Sequence, residues 1–371
     1  MDLTVFNSFL KTAQFVGTCI ANPLNIFLIY LILTKSSKKI GNYKYLMIYV
    51  SIYEILFSCS AIVTEPLLHS FTTRVIVIVD VHNSIFSREI CSILDCLMCA
   101  MYGVSMNVFA LHFLYRYATL FPKSKKLFDG ARIIFWLTVP QIYGVVWLVT
   151  YYAVFRESPE YTEFIRKTLM ENLDINVDDV VYVGPYYYME DKNGIHDMDW
   201  TAFWAMAIVW LLIMSSAVTV FICGYGCYKK ITKGLEVSSN SKQTKSIQKQ
   251  LFYALVVQSA IPFLLMYIPS TVVLFCTLIQ LDVGSASLFI SYSIAIYPVV
   301  DPLPTLFIVQ NYRNAVKSLN DHTDLEYCDK KERHEFISTD TIFQQNHGMM
   351  IPNDEFGHHN EYCLKINVNC I

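Results

Sequence analysis

Seven long stretches of apolar residues constrain this chain more than any other feature. A helix needs about 20 consecutive apolar residues to cross the hydrocarbon core of a bilayer. The stretches are residues 12–34, 45–68, 91–115, 133–155, 201–228, 250–281 and 283–309. The sequence therefore predicts an all-α membrane protein built as a seven-transmembrane helix bundle. Residues 1–11 form the predicted N-terminal segment and residues 310–371 the predicted tail, which we expect to be mostly disordered.

The composition agrees with this fold class and excludes several functions. Charged residues make up 16% of the chain, against about 25% in a soluble domain. A formal net charge of -3 gives no reason to expect a nucleic-acid partner. The spacing of the 11 cysteines gives no complete metal-ligand set. We therefore predict no enzyme activity, no cofactor and no metal site.

Loop charges predict the orientation, because lysine and arginine favour the inner side of a membrane. The first, third and fifth loops between the spans are basic, for example through Lys35, Lys38 and Lys39. Residues 156–199, between the fourth and fifth spans, instead carry eleven acids and four bases. We expect the N-terminus outside and the tail in the cytoplasm.

Three function classes have seven spans: receptors coupled to G proteins, light-driven retinal proteins, and channels or transporters. A retinal protein needs a lysine in its last span, and residues 283–309 contain none. A transporter usually shows repeated halves, which this sequence lacks. Intramembrane metal chemistry would need a ligand set, and only His69 and His112 come near one.

Several motifs carry a resemblance to a known family. They are Gly41-Asn42-Tyr43-Lys44-Tyr45-Leu46-Met47, His112-Phe113-Leu114-Tyr115-Arg116-Tyr117, Ile247-Gln248-Lys249-Gln250-Leu251-Phe252 and Tyr297-Pro298-Val299-Val300-Asp301-Pro302-Leu303-Pro304, followed by Tyr312-Arg313. From about residue 22 to residue 315, the chain resembles the nematode seven-transmembrane chemoreceptors of serpentine receptor class r, the Str group.

The resemblance implies a G-protein-coupled chemosensory receptor of the odorant type. Such a protein would lie in the plasma membrane as a multi-pass protein, in the cilium of a sensory neuron, and would serve chemotaxis. Its expected partners are a small-molecule ligand from outside, a heterotrimeric G protein and membrane lipid. A ligand-gated ion channel and a non-signalling membrane partner within receptor complexes remain as alternatives.

Helical spacing at the outer ends of the spans predicts a ligand pocket rich in aromatic residues and methionine. Such a lining suits a small, weakly polar ligand, although ordinary packing or an interfacial aromatic belt would use the same residues. The candidates are Asp95, Met98, Tyr102, Met106, Phe203, Trp204, Met266, Tyr267, Ser270, Ser291 and Tyr292.

The family motifs predict a second site at the inner ends of the spans, for activation and G-protein coupling. Arg116 is its central residue; the alternative is an arginine that reaches the membrane surface. Tyr115 stands before it, so the acid that precedes this arginine in rhodopsin-like receptors is missing. The candidates are His112, Tyr115, Arg116, Tyr117, Lys249, Tyr297, Asp301, Tyr312 and Arg313.

Four polar residues are predicted to meet in the inner half of the bundle: Asn22, Glu54, Asn107 and Asp301. At ~1.5 Å per residue, all four lie roughly 12–18 Å from the inner edge. A carboxylate in lipid costs about 2.5 kcal/mol or more, so both acids should face the interior. Two acids that meet would share a cation, or one would take up a proton. The alternative is that each acid pairs locally.

The 44-residue loop Arg156–Asp199 is predicted to cover the outer mouth as a lid packed by its tyrosines. Rhodopsin-like receptors fix the corresponding loop by a disulfide to the third span. Cys91 stands at that place, but the loop contains no cysteine. The bridge cannot form, and Cys276 is the remaining candidate partner.

Overall fold

Long apolar helices dominate the computed structural model, which describes residues 3–37, 40–71, 74–121, 126–128, 130–190, 196–234, 242–281 and 283–318. Six helices are long and apolar enough to cross a membrane: Ser8–Lys35, Tyr43–Thr64, Arg88–Leu120, Arg132–Phe155, Trp200–Thr232 and Lys245–Leu278. Leu288–Ile308 and Gln310–Ser318 pass the same test together and meet at 96°. Leu288–Ile308 packs on the first and second spans and completes a bundle of seven.

Most helices extend beyond the apolar stretches that predicted them. The first runs over Leu3–Lys35 and so includes most of the predicted N-terminal segment; the third runs over Arg88–Leu120 and the fifth over Trp200–Gly234. A helix can continue into the polar region beyond the hydrocarbon core, which hydropathy alone does not detect. The predicted tail lies outside the described residues from 319 onward.

Three spans are interrupted. The fourth is an α-helix over Arg132–Thr150 that continues as a π-helix over Tyr151–Phe155. The sixth comprises Lys242–Pro262, a π-helical turn over Phe263–Tyr267, and Ile268–Leu278. The seventh breaks at Asp301, between Leu288–Val300 and Pro302–Ile308, because Pro302 has no N–H to donate.

The second span is shorter than predicted. Its helix covers Tyr43–Thr64 and ends where Glu65 adopts a left-handed conformation with φ 43°. Pro66 follows, which disfavours a continuing helix. Leu67 and Leu68, expected within the helix, therefore begin a β-strand.

A small antiparallel sheet, which the sequence did not predict, covers one end of the bundle. Its strands are β1 (Leu67–Phe71), β2 (Arg74–Asp80) and β3 (Val180–Val183), in the order β1–β2–β3. A second pair consists of β4 (Tyr188–Glu190) and β5 (His196–Met198). We call this end the sheet end. The opposite end, where Arg116 lies, is the arginine end.

The loop between the fourth and fifth spans is largely ordered where the structure describes it. A helix over Pro159–Leu173 starts with Ser158, whose hydroxyl accepts the N–H of Tyr161, and with proline in its first turn. It ends at Asp174, where φ is 51°. Together with β3, this helix packs Tyr161 and Tyr182 against the sheet and the start of the first span. The tyrosines thus pack the lid, as predicted.

Hydrogen bonds from main-chain N–H groups fasten the sheet to the helices, two of them to serine hydroxyls and one to a carbonyl group. The N–H groups of Leu68 and Ser70 donate to the hydroxyls of Ser291 and Ser287, at 3.0 and 2.9 Å. The Gly184 N–H donates to the Phe155 carbonyl at 3.0 Å. Cys91 and Cys276 are both free, so the disulfide considered between them is not formed. The sheet supplies the fastening instead.

Candidate functional site

A cavity of ≈ 100 Å³ lies beneath the sheet, among all spans except the first. We call it the chamber. Phe57, Trp147 and Ile213 contribute walls from the second, fourth and fifth spans, and most of the lining is apolar. Six of the eleven predicted pocket residues line it: Met98, Tyr102, Met106, Tyr267, Ser270 and Ser291. Met98, Tyr102 and Met106 thus face the same cavity over about two turns of the third span.

The other five predicted pocket residues lie elsewhere. Asp95 and Met266 are fully buried in the helix packing around the chamber, outside its lining. Trp204 is 63% exposed on the outer surface of the bundle, beside Phe203. Tyr292 packs on the ring of Phe9 from the first span. Trp204 therefore fits the interfacial belt that was the alternative interpretation.

The sheet forms a wall of the chamber that sequence reasoning missed. Val75, Val77 and Val183 face the chamber from β2 and β3, and Gly184 and Pro185 follow them. A Cβ atom on Gly184 would lie 1.9 Å from the Val75 carbonyl oxygen, so only glycine fits there. The alternating valines of residues 75–79 were the sequence signal for a strand.

Three polar groups of the chamber lining make no hydrogen bond of normal geometry with the described residues. The hydroxyls of Tyr102 and Ser270 are close neighbours, yet neither makes a hydrogen bond of normal geometry among the described residues, and nor does the indole N–H of Trp147. A buried group without a partner costs about 1–3 kcal/mol. A small bound molecule that accepts hydrogen bonds from these groups would remove that cost.

Tyr267 connects the chamber with the rest of the bundle. Its hydroxyl and that of Ser105, on the third span, lie 2.6 Å apart, and its ring meets Tyr102 edge-on at 5.6 Å. Tyr267 closes the π-helical turn of the sixth span. Such turns are frequent at functional sites because the local helix geometry can change there.

At the arginine end, Arg116 is buried against an aromatic ring. It is 2% exposed, so it does not reach the membrane surface as the alternative interpretation expected. Its guanidinium lies 3.5 Å from the centre of the Tyr43 ring, and its Nη1 donates to Gln248 at 2.8 Å. Nε and Nη2 have no hydrogen-bond partner within the described part of the chain. No ion pair found among those residues includes Arg116.

Tyr43 organises the surroundings of Arg116. It stacks on Tyr115 at 5.5 Å, and its hydroxyl lies 3.2 Å from Nδ1 of His112. His112 Nε2 lies 3.2 Å from the Leu46 carbonyl. Tyr43 and Gln248 were missing from the predicted site, although both stand in motifs that carried the family resemblance.

The remaining coupling candidates are spread over this end. Tyr117 packs on Phe121 at 4.4 Å, and the hydroxyl of the buried Tyr312 lies 2.7 Å from that of Ser36. Lys249 lies over Tyr253 at 5.8 Å, and Arg313 is exposed. Tyr297 is buried beside Phe57, nearer the chamber. They therefore do not form a single contact cluster.

The two predicted acids meet in the bundle interior. Glu54 and Asp301 are 1% and 0% exposed, and their carboxyl groups are close enough to interact directly. Gln258 Nε2 donates to Asp301 Oδ2 at 2.9 Å, and Thr305 donates to Gln258 Oε1 at 3.0 Å. Both oxygens of Glu54 and Oδ1 of Asp301 have no donor among the residues described.

The two predicted asparagines do not join this acid pair. Asn22 bonds to the second span, where Ser58 donates to its Oδ1 at 2.6 Å. Asn107 donates to Ser216 of the fifth span at 3.2 Å. The fully buried Asn25 is the amide beside Glu54 instead. Counting residues along a helix does not give the direction in which each side chain faces, and Asn22 and Asn107 face neighbours other than the acids.

A second, smaller cavity of ≈ 10 Å³ lies beside the acid pair. Ser51, Glu54, His112, Gln258 and Thr305 supply its polar lining. The volume corresponds to about one water molecule. Across the described residues, no group of three or more histidine, cysteine or acidic side chains could hold a metal ion.

The chain is similar to known seven-transmembrane receptors in sequence and in fold. Residues 10–317 match the family described as serpentine type 7TM GPCR chemoreceptor Str. The chain is 33% identical to the Caenorhabditis elegans G-protein coupled receptor str-217 over 83% of this chain and 89% of that protein. It is 28% identical to serpentine receptor class r-10 of the same species, over 82% and 89%. The structure of squid rhodopsin superposes with a TM-score of 0.58 at 12% identity, covering 87% of each chain.

Proposed function

This chain belongs to the Str family of serpentine seven-transmembrane chemoreceptors, and we propose that it binds a small external chemical in the chamber and activates a heterotrimeric G protein at the arginine end. Membership makes it a multi-pass receptor of the G-protein-coupled type rather than an enzyme. The observation that carries the ligand proposal is the apolar chamber with three polar groups lacking partners.

The proposed orientation puts the sheet end outside the cell. The lid loop between the fourth and fifth spans is acidic, whereas the loops at the arginine end are basic. Basic loops favour the cytoplasmic side. We propose the plasma membrane as the location, and for a chemosensory member of this family the cilium of a sensory neuron, with chemotaxis as the response.

The chamber restricts the ligand to a small molecule of low polarity. A cavity of about 150 Å³ can hold benzene, and this one measures ≈ 100 Å³. Tyr102, Ser270 and Trp147 can each donate a hydrogen bond into it. The ligand is therefore no larger than about the size of benzene, uncharged, and equipped with a hydrogen-bond acceptor.

Arg116 is the proposed contact for the G protein. A buried cation without a carboxylate partner is unfavourable, and two of its nitrogens remain free to donate. A carboxylate or carbonyl group of the G protein would satisfy them once the bundle opens at this end. The acid pair Glu54 and Asp301 lies between Arg116 and the chamber. We propose that it rearranges during activation, with one shared proton or one bound cation.

An odorant-panel screen with calcium imaging in heterologous cells tests this proposal. We expect at least one small volatile to raise calcium in cells expressing the chain. Cys99→Phe would fill the chamber, because Cys99 lines it, and should abolish that response. Cys19→Phe is the matched control, since Cys19 is exposed on the first span.

Two outcomes would contradict the proposal. A ligand-evoked current that persists without any G protein would instead support an ion channel. Equal responses from Cys99→Phe and Cys19→Phe would show that the ligand does not bind in the chamber.

A further inference from the structure

A wide groove on the bundle surface separates the fifth span from the sixth. It measures ≈ 560 Å³. Its floor comes from Phe109 and Phe113 of the third span, and its rims carry Phe221 and Tyr225, which are 63% and 69% exposed. We call it the membrane groove.

Small residues create the groove. Ala217 and Gly224 on the fifth span and Ala260 on the sixth line it and leave the space between the two helices unfilled. A Cβ atom on Gly224 would approach only the Phe113 ring, at 3.3 Å. Its lining residues lie within the apolar stretches 91–115, 201–228 and 250–281, so we expect its mouth to open into hydrocarbon. A molecule dissolved in the bilayer can therefore reach it.

The groove and the chamber share a wall of two side chains. Met106 and Tyr267 line both cavities. Methionine is unbranched and flexible. Tyr267 belongs to the π-helical turn and is held by the contact with Ser105 at 2.6 Å. Turning these two side chains aside would join the two cavities.

The sheet end offers a more difficult route. β1 pairs along its whole length with residues 74–78 of β2, and β3 pairs with Val77–Asp80, so that opening the sheet breaks many main-chain hydrogen bonds together. The Tyr188 hydroxyl also donates to the Leu278 carbonyl at 3.0 Å, which ties the lid to the sixth span. Displacing two side chains costs less than separating three strands.

We propose that the membrane groove is the entrance to the chamber, that Met106 and Tyr267 form its gate, and that the ligand is an uncharged lipophilic molecule arriving through the bilayer. This inference rests on the proposed function, because it concerns the route to the same chamber. It adds a chemical requirement: the ligand partitions into hydrocarbon before it binds. A charged or strongly polar ligand does not use this route.

Photolabelling of the full chain in lipid nanodiscs tests the route. One probe is a short uncharged aliphatic diazirine, and the other carries the same diazirine on a quaternary ammonium group that stays out of hydrocarbon. Mass spectrometry then measures how fast each probe labels groove residues such as Val220 and chamber residues such as Leu274. We expect the uncharged probe to label both regions and the charged probe to label neither.

Ala217→Trp should plug the groove, because Ala217 lines it. Leu211→Trp is the matched control: Leu211 lies on the same helix, is 69% exposed and does not line the groove. We expect chamber labelling to slow at least about fivefold in the first variant, a barrier increase of about 1 kcal/mol. It should not change in the second. Met106→Ala, which removes half of the gate, should accelerate chamber labelling.

The outcomes separate the route from the function. Unchanged chamber labelling in Ala217→Trp, or equally fast labelling by the charged probe, would overturn the entrance while leaving the chamber as the binding site. Failure of both probes to label the chamber, with the groove labelled normally, would overturn the proposed binding site together with its entrance.

Discussion

The two ends of the bundle are held together by different kinds of interaction. At the sheet end, main-chain hydrogen bonds join β1, β2 and β3, and main-chain N–H groups of the sheet donate to Ser291, Ser287 and the Phe155 carbonyl of the helices. At the arginine end, contacts between side chains join three spans. They involve Tyr43, His112, Arg116 and Gln248. The bonds between strands do not depend on side-chain identity. The sheet end should therefore tolerate most substitutions other than those of Ser287 and Ser291, which accept main-chain N–H groups, whereas single changes at the arginine end should alter function.

The largest expected effect is the loss of signalling in Arg116→Ala. Hydrogen bonds to a charged group contribute about 1.5–3 kcal/mol, so signalling should fall at least about tenfold. Surface expression should change less, because two donor nitrogens of Arg116 lack partners in the structure as described. Second-messenger assays normalised to surface labelling measure both quantities.

Arg132→Ala is the control for that variant, since Arg132 is an exposed arginine at the same end, bonded to the Lys126 carbonyl. Its signalling should remain near that of the unmodified chain. Equal losses of signalling and expression in Arg116→Ala would instead indicate a folding role.

At the sheet end, only a change that disturbs the backbone should have a comparable effect. Gly184→Ala puts a methyl group 1.9 Å from the Val75 carbonyl oxygen, which forces the backbone of β2 to shift. We expect the free energy of unfolding to fall by about 1–3 kcal/mol. Thermal denaturation in detergent measures it, with Gly224→Ala as the control because its methyl group meets only the Phe113 ring, at 3.3 Å. Equal stability of the two variants would show that the sheet is not a rigid wall.

The acid pair, between the two ends, should give an intermediate effect. Glu54→Gln and Asp301→Asn each remove one possible charge while retaining shape, and each should change basal or evoked signalling by about fivefold, or about 1 kcal/mol. Both proteins should still reach the membrane. Glu89→Gln, an exposed acid on the third helix, is the control. If the two effects add in the double variant, the carboxyl groups act separately and the proposed pair is wrong.

The sequence predicted the seven-helix bundle, for reasons visible in particular residues. Hydropathy found all seven helices, because lipid contact requires apolar side chains. Spacing along one helix does not always predict which way a side chain faces. Met98, Tyr102 and Met106 face one cavity, as their spacing suggested. Asn22 and Asn107 instead contact Ser58 and Ser216 rather than the acids. Direction depends on packing between helices, which the spacing within one helix does not determine.

The sheet was missed for a different reason. Leu67 and Leu68 continue the apolar stretch of the second span, so hydropathy assigned them to the helix. Strand pairing between residues 74–80 and residues 180–183 joins segments about a hundred positions apart, and no local pattern specifies such a partner. The glycine at position 184 becomes informative only once that pairing is known.

The smallest expected effect is at the exposed ion pair of the lid. Arg166 donates to Asp178 at 2.7 Å, and this contact lowers the pKa of Asp178 below its ordinary value of 3.8. A lowered folded-state pKa stabilises the lid above pH 3.8, and that contribution disappears as the pH falls through the lower value. Because the pair is exposed, Asp178→Asn should barely change amide hydrogen exchange of the helix Pro159–Leu173 at pH 7. Strongly accelerated amide hydrogen exchange in that helix would show that an exposed ion pair also stabilises the sheet end.

Nucleotide exchange on purified heterotrimeric G proteins is the most direct test of the central claim that a ligand in the chamber acts on the arginine end. The full chain would be placed in nanodiscs with a volatile identified by the odorant screen and with a panel of G proteins. We predict that the volatile accelerates nucleotide exchange with the unmodified chain. Cys99→Phe should remove this acceleration because the volatile no longer binds in the chamber. Arg116→Ala should remove the acceleration while the volatile still binds. Acceleration that survives in Arg116→Ala, or binding without acceleration for every G protein tested, would contradict the account.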